Sequence, residues 1–247
     1  MYHSISEAGT AMCVTPAAFA RQVEWLHQAG WKSLTLREAM AAHQPLQHSV
    51  VLTFDDGFAD AYSTAWPLLR ERGMTATIFM VTDQVGQVAS WADANPVAPL
   101  LDWSQIREMA QEGFEFGSHT ASHLDVRTAT DEEIYEELVR SKGVLEEHVE
   151  TEVVSFAYPY GYCRPVLPES LAKAGYRYAV LAGGYRDSSR AASHLLLHRT
   201  PVGAQDSMRT FAAKVRGRLA YRYYTGKMSV EFRYQWKGLL RRCGRGR

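Results

Sequence analysis

Cysteine is scarce in this 247-residue chain: Cys13, Cys163 and Cys243 are an odd, scattered set with no CxxC pair. That argues against a disulfide framework and fits a reducing compartment. Long apolar runs are missing too, and none approaches the roughly 18 residues that a membrane-spanning helix needs. The first twenty residues, MYHSISEAGTAMCVTPAAFA, lack a basic start followed by an apolar stretch, so no secretory leader is read there. The resulting expectation is a protein of the cytoplasm or the cytoplasmic membrane surface. No GxGxxG follows the first strand, which sets aside a dinucleotide-binding open sheet. Internal repeats and low-complexity segments are also absent.

Net charge is formally zero, with 27 basic and 27 acidic residues, but it is unevenly spread. From Lys214 to Arg247 there are eleven Lys and Arg against one acid, Glu231; removing them leaves 16 basic and 26 acidic residues. The chain reads as an acidic body, residues 1–210, with a basic, aromatic-rich extension over 211–247. The extension interleaves Tyr, Trp and Phe with Arg and Lys. A solvated or frayed end is one reading; peripheral contact with an anionic membrane surface is another. Nucleic acid ranks last as a partner because no recognised module accompanies the basic stretch.

What is present is enough to build one sizeable core: 46% of residues are hydrophobic and 22% charged. The body repeats a local plan of helix, glycine, then strand. In TPAAFARQVEWLHQAGWKSLTL, Thr15 is placed as an N-cap and Pro16 at the first helical position, with Phe19, Val23 and Leu26 on one face. Gly30, and in later repeats of the plan Gly73, Gly113 and Gly175, stand where left-handed C-terminal caps are wanted. DEEIYEELVRSKGVLEEHV adds an acid-led amphipathic helix. Strands alternating with helices imply an α/β fold of parallel strands joined by crossover helices, and a barrel is favoured over an open sheet. Catalytic groups are then expected at the C-terminal ends of the strands.

Three stretches fall at such ends: TFDDG, GSHTASH and AYPYG. The first poses a problem, because adjacent carboxylates at Asp55 and Asp56 raise each other's pKa unless positive charge stands between them. The second offers that charge a home. His119 and His123, four apart, reach one cation if the segment turns helically. Two histidines and one carboxylate with open positions describe a catalytic divalent metal site. One aspartate then ligates while its neighbour stays ionised as a general base. Taken singly, DDG is an acidic turn in most proteins and a His pair is incidental; their joint placement at strand ends is what makes them specific.

TFDDG and HTASH match, in order, the first two motifs of the polysaccharide deacetylases of the carbohydrate esterase family 4 type, and FAYPYG resembles the third, RxPY. MYHSI, the WxxIREM…GFEFGSH stretch and RTPV resemble the branch acting on poly-N-acetylglucosamine-like exopolysaccharides. The resemblance covers roughly residues 1–210. It implies a distorted (β/α) barrel of about seven parallel strands and a hydrolase that removes N-acetyl groups from an amino-sugar polysaccharide, oligosaccharide or lipid-linked precursor. It further implies a divalent metal, zinc first with Co²⁺, Ni²⁺ or Mn²⁺ as alternatives, held by Asp56, His119 and His123. Asp55 would be the general base for the attacking water, and the backbone N–H of Tyr160 would help hold the oxyanion, with Tyr158 and Pro159 beside the substrate.

The sequence departs from that pattern. The arginine of RxPY, which orients the base, is Ala157, so Asp55 must be held some other way. No DxxDW-like fourth motif follows residue 161, and Trp103 is read as a helix start that packs. The fifth motif, LxH, supplies the general acid; LLLHRTPV offers Leu196 and His198, with His194 a poor substitute. The alternative reading aligns Arg199 and Pro201 with an R-x-P strand and leaves His198 incidental. Two further functions stay open: a sugar-binding protein of the same fold that lost turnover, supported by Ala157, and a metal amidohydrolase acting on a small non-sugar amide.

Overall fold

The computed structural model describes residues 1–42, 46–91, 94–182 and 194–217. In chain order these form α1 (Pro16–Gln28), β1 (Lys32–Leu34), α2 (Leu36–Ala41), β2 (Ser49–Val51), β3 (Thr53–Phe54), α3 (Trp66–Arg70), β4 (Thr77–Met80), α4 (Trp103–Gln111) and β5 (Glu115–Ser118). Then follow α5 (Asp131–Val149), β6 (Ser155–Ala157), α6 (Leu167–Lys173), β7 (Tyr178–Ala182), β8 (Leu197–Arg199) and α7 (Met208–Val215). β3 to β8 make a six-stranded, all-parallel sheet in sequence order, and β1 pairs with β2 in a small parallel sheet beside it.

The curled sheet is drawn together by the first residues of the chain. Tyr2 N–H donates to Thr53 O at 2.7 Å, and Tyr2 O accepts from Asp55 N–H at 3.0 Å. On its other side, Met1 N donates to Thr200 O at 3.1 Å and Met1 O accepts from Val202 N–H at 2.9 Å. This segment, paired parallel at Tyr2–Phe54, adds to the six strands and agrees with the expected barrel.

Strand alternation sorts side chains into two apolar regions. Ile78, Phe156, Ala179 and Leu181 point outward into the large core shared with the helices. Their neighbours Phe79, Ala157 and Val180 point into the barrel, where Leu36 of α2 joins them. The helix signals fall as read. Thr15 accepts from Ala18 N–H, with Pro16 at the first turn, and Phe19, Val23 and Leu26 are buried. Gly30, Gly73, Gly113 and Gly175 all take positive φ. Trp103 opens α4 behind the capping carboxylate of Asp102 and packs edge-on against His148.

The boundary drawn between residues 210 and 211 falls inside α7. Phe211 is buried and meets the ring of Trp25 at 5.9 Å, Arg216 lies over the same ring, and Lys214 pairs with Asp206 at 2.6 Å. The body therefore extends at least to Gly217. Cys243 and most of the basic extension lie outside the described residues.

Candidate active site

The acid pair sits where β3 ends, on a backbone that only a few residues tolerate. Asp56 has φ 71° and Gly57 φ 74°, two left-handed residues in succession. Aspartate accepts this conformation more readily than most side chains. At Gly57 the positive φ is what favours glycine, since a Cβ would press only on the flexible end of Met80, 2.5 Å from its Cε. The turn sends the two carboxylates to different partners.

Asp55 faces the barrel interior, since Phe54 before it points outward. There it receives a two-pronged contact from Arg199 of β8: Nη1 to Oδ1 at 2.6 Å and Nη2 to Oδ2 at 2.7 Å. Both side chains are buried. Arg199 is itself fixed by Thr53 Oγ1, by Leu181 O and by the ring of Phe79. Burial opposes the charge on Asp55, but the Arg199 guanidinium and then His119 and His3 outweigh it and hold the carboxyl below its ordinary range. Ala157 also faces the barrel interior, so the arginine missing from β6 is supplied from β8 instead.

The same register settles the direction of His198. It pairs with Leu181, an outward-facing residue, whereas Leu197 and Arg199 pair with Val180 and Ala182. His198 is thus on the opposite side of its strand from Arg199, away from Asp55, which corrects the expectation that it supplies the acid. The alternative reading, an R-x-P strand built on Arg199, is the one that the geometry favours.

Asp56 turns to the histidines. Its Oδ1 lies 3.3 Å from Nε2 of His119 and 3.4 Å from Nε2 of His123, with all three residues buried. His119 follows β5, and its Nδ1 lies 2.8 Å from Ala157 O, which assigns the proton to Nδ1 and leaves Nε2 as a lone-pair donor. The segment between the histidines is not helical as expected. Thr120 and His123 take φ 64° and 63°, and that turn brings the rings within 5.0 Å. Burial opposes charge on Asp56, while the contacts from His119 and His123 and the field of His3 outweigh it and depress its pKa strongly. Burial likewise opposes charge on His119, and Asp56 with Asp55 overcomes it and raises that imidazole.

The donor set fits a cation. Ligand atoms about 2.0–2.1 Å from a tetrahedral Zn²⁺ stand about 3.4 Å apart, close to the spacing from Asp56 to each histidine, and all three ligand atoms lie within 4.8 Å of one another. One carboxylate and two imidazole nitrogens are also the ligand chemistry that such an ion takes.

Tyr160 takes φ 57° in the turn after β6, and its ring meets His123 edge-on at 4.5 Å; Pro159 begins that turn and is buried. Tyr158 is 1% exposed, with its hydroxyl donating to Leu195 O at 2.7 Å, so its side chain belongs to the core rather than to a substrate surface. Two residues were missed in the sequence. His3 lies one residue beyond the Tyr2–Phe54 bridge, on the side of Asp55. Burial lowers its pKa, opposed by the fields of Asp56 and Asp55. The signal available was the MYHSI lead-in. Trp91 stacks on His123 at 4.7 Å, from a loop whose sequence carries no motif.

The sequence matches the polysaccharide deacetylase family over residues 42–179. The Bacillus subtilis protein YxkH, named as a polysaccharide deacetylase, is 32% identical over 219 residues, covering 87% of this chain and 74% of that protein. The poly-β-1,6-N-acetyl-D-glucosamine N-deacetylase of Escherichia coli strain K12 is 26% identical over 249 residues; these are 83% of this chain but only 36% of the enzyme. Among solved structures, the Streptococcus pyogenes deacetylase PplD in complex with acetate superposes with a TM-score of 0.74 at 26% identity, covering 87% of this chain and 96% of PplD. IcaB from Ammonifex degensii gives the same TM-score and identity, over 87% and 94%. On these matches and this geometry, the chain belongs to the polysaccharide deacetylase family.

Proposed function

We propose that the chain is a metal-dependent N-deacetylase acting on an N-acetylated amino-sugar polymer of the poly-β-1,6-N-acetylglucosamine kind. One observation carries the reading: an ionised carboxylate clamped by Arg199 stands beside a convergent Asp56, His119 and His123 set. The named activity of the E. coli relative and the acetate held by PplD support the substrate class and the product. A divalent cation on Asp56, His119 and His123, zinc in the first instance, supplies Lewis acidity toward the acetyl carbonyl and lowers the pKa of water.

The chain's own residues do the rest. Asp55 takes a proton from the water that adds to the acetyl carbon, and the Arg199 clamp fixes which of its lone pairs point there. The Tyr160 backbone N–H, in its left-handed turn, is assigned to the oxyanion of the tetrahedral carbon. The C–N bond then breaks, with the nitrogen taking the proton that Asp55 removed from the water, and acetic acid, ionised to acetate, and a free amine leave. With Arg199 in the place of the missing motif arginine, Ala157 no longer argues for a fold that lost turnover.

Acetate release from a β-1,6-N-acetylglucosamine oligomer, measured with chelator and after metal add-back, tests the reading. Loss and recovery of release are expected. Release that survives complete metal removal overturns it, and turnover of small amides in preference to the oligomer moves the substrate away from sugars.

A further inference from the structure

The segment carrying the two histidines cannot hold its own shape as a helix would, because Thr120 and His123 are both left-handed. Its inner amides are caught instead from outside. Ala121 N–H and Ser122 N–H both donate to Oε2 of Glu137, each at 2.8 Å. Glu137 lies in α5 and is 8% exposed. Its Oε1 accepts from Arg140 at 2.6 Å, and Arg140 also reaches both carboxylate oxygens of Asp83 at 2.8 Å. Asp83 returns to the same segment, since its backbone N–H donates to Ala121 O at 2.9 Å. Residue 121 is therefore held through both its N–H and its C=O.

A buried carboxylate on a helix costs desolvation that an apolar side chain of similar size avoids. Here it buys shape: bonds from amides to an ionised oxygen are stronger than neutral ones, and both converge midway between the ligands. The amides lie two and one residues from His119 and His123, so a loosened clamp changes the distance between Nε2 atoms before it disturbs the barrel. We propose that Glu137 is a positioning residue, which sets the spacing of His119 and His123 through the amides between them and so tunes the affinity of the site for its metal. The proposal rests on the metal-binding reading above.

The test uses the full-length chain with Glu137→Ala, Glu137→Asp and Glu137→Gln. Amide exchange is followed in metal-free protein, and the Zn²⁺ dissociation constant is measured by competition with a chromogenic chelator. In Glu137→Ala, exchange at Ala121 and Ser122 should rise at least about tenfold while the α5 amides stay protected, and the zinc constant should weaken by about 10–100-fold, the usual worth of an outer partner of a metal ligand. Glu137→Gln keeps an oxygen able to accept both amides and should stay within a few-fold of wild type. Should Glu137→Ala fail to fold, Glu137→Asp carries the same test, because the shortened side chain keeps its charge but withdraws from the amides. Wild-type zinc affinity in the Ala or Asp variant overturns the proposal alone. A wild-type chain that takes up no zinc overturns the functional reading and the proposal together, so the two failures are told apart.

Discussion

Buried carboxylates stand at both ends of the β3–β5 region, one at the N-terminal end and two at the C-terminal end, and the two ends keep them in different ways. At the N-terminal end, Glu115 opens β5 and receives Thr77 Oγ1–H at 2.8 Å, Ser155 Oγ–H at 2.5 Å and the N–H of Arg37 at 3.0 Å. Thr77 Oγ1 in turn accepts from Leu36 N–H, so this network ties α2 across the floor of the barrel. Its side-chain and backbone donors are uncharged and pull in different directions. A cavity of about 490 Å³ opens there, lined in part by Arg37, Arg107, Glu115 and His148, at the opposite end of β5 from His119. At the C-terminal end, Asp55 and Asp56 meet a guanidinium and imidazoles instead. Uncharged donors spread around a carboxylate fasten elements together; cationic and nitrogen donors gathered on one side leave an acid that can ligate or take a proton.

The largest effect expected from breaking that contrast is removal of the metal or of its carboxylate. Asp56→Asn replaces a charged ligand by a neutral one, and acetate release should fall to the level of chelated wild-type protein, followed by acetate assay. Asp55→Asn comes next. It should keep the metal and lower kcat by roughly 10²–10⁴-fold, the range for a positioned general base. Arg199→Met should act through Asp55: kcat should drop about 10²-fold, as for a misplaced catalytic group, with metal content retained. Because it strands a buried charge, it should also destabilise the fold by about 3–5 kcal/mol, visible in the melting curve.

Glu115→Ala sharpens the comparison from the other end. It strands the Thr77 and Ser155 hydroxyls and the Arg37 N–H, at a cost of about 1–3 kcal/mol for a group left unsatisfied. Its Tm should fall while metal content and kcat stay at wild-type values. The smallest effect on turnover is expected from deleting residues 218–247, which spares α7. Binding to anionic vesicles should weaken, more so at low salt, with release from a soluble oligomer unchanged; equal vesicle binding by both forms removes the membrane contact.

Local signals in the sequence were reliable wherever the cause was local. TFDDG and HTASH announced their strand ends, and Thr15 caps α1 as its residue type directs. What could not be read came from residues distant in the chain. Arg199 reaches Asp55 across 144 positions, and only the β7–β8 register shows that it, rather than His198, enters the barrel. His3 joins the site because the first residues pair with β3, a contact that no periodicity predicts. The histidine spacing suggested a helix, yet Glu137 and two left-handed residues make a turn of the same reach.

In the proposed function, adjacent aspartates divide ligation from proton transfer. Zinc content per chain, measured by elemental analysis on wild type, Asp55→Asn and Asp56→Asn after identical loading and desalting, tests it most directly. About one zinc is expected in wild type and in Asp55→Asn and strongly reduced zinc in Asp56→Asn, as the ligand set requires. Zinc lost from Asp55→Asn but kept by Asp56→Asn would contradict it.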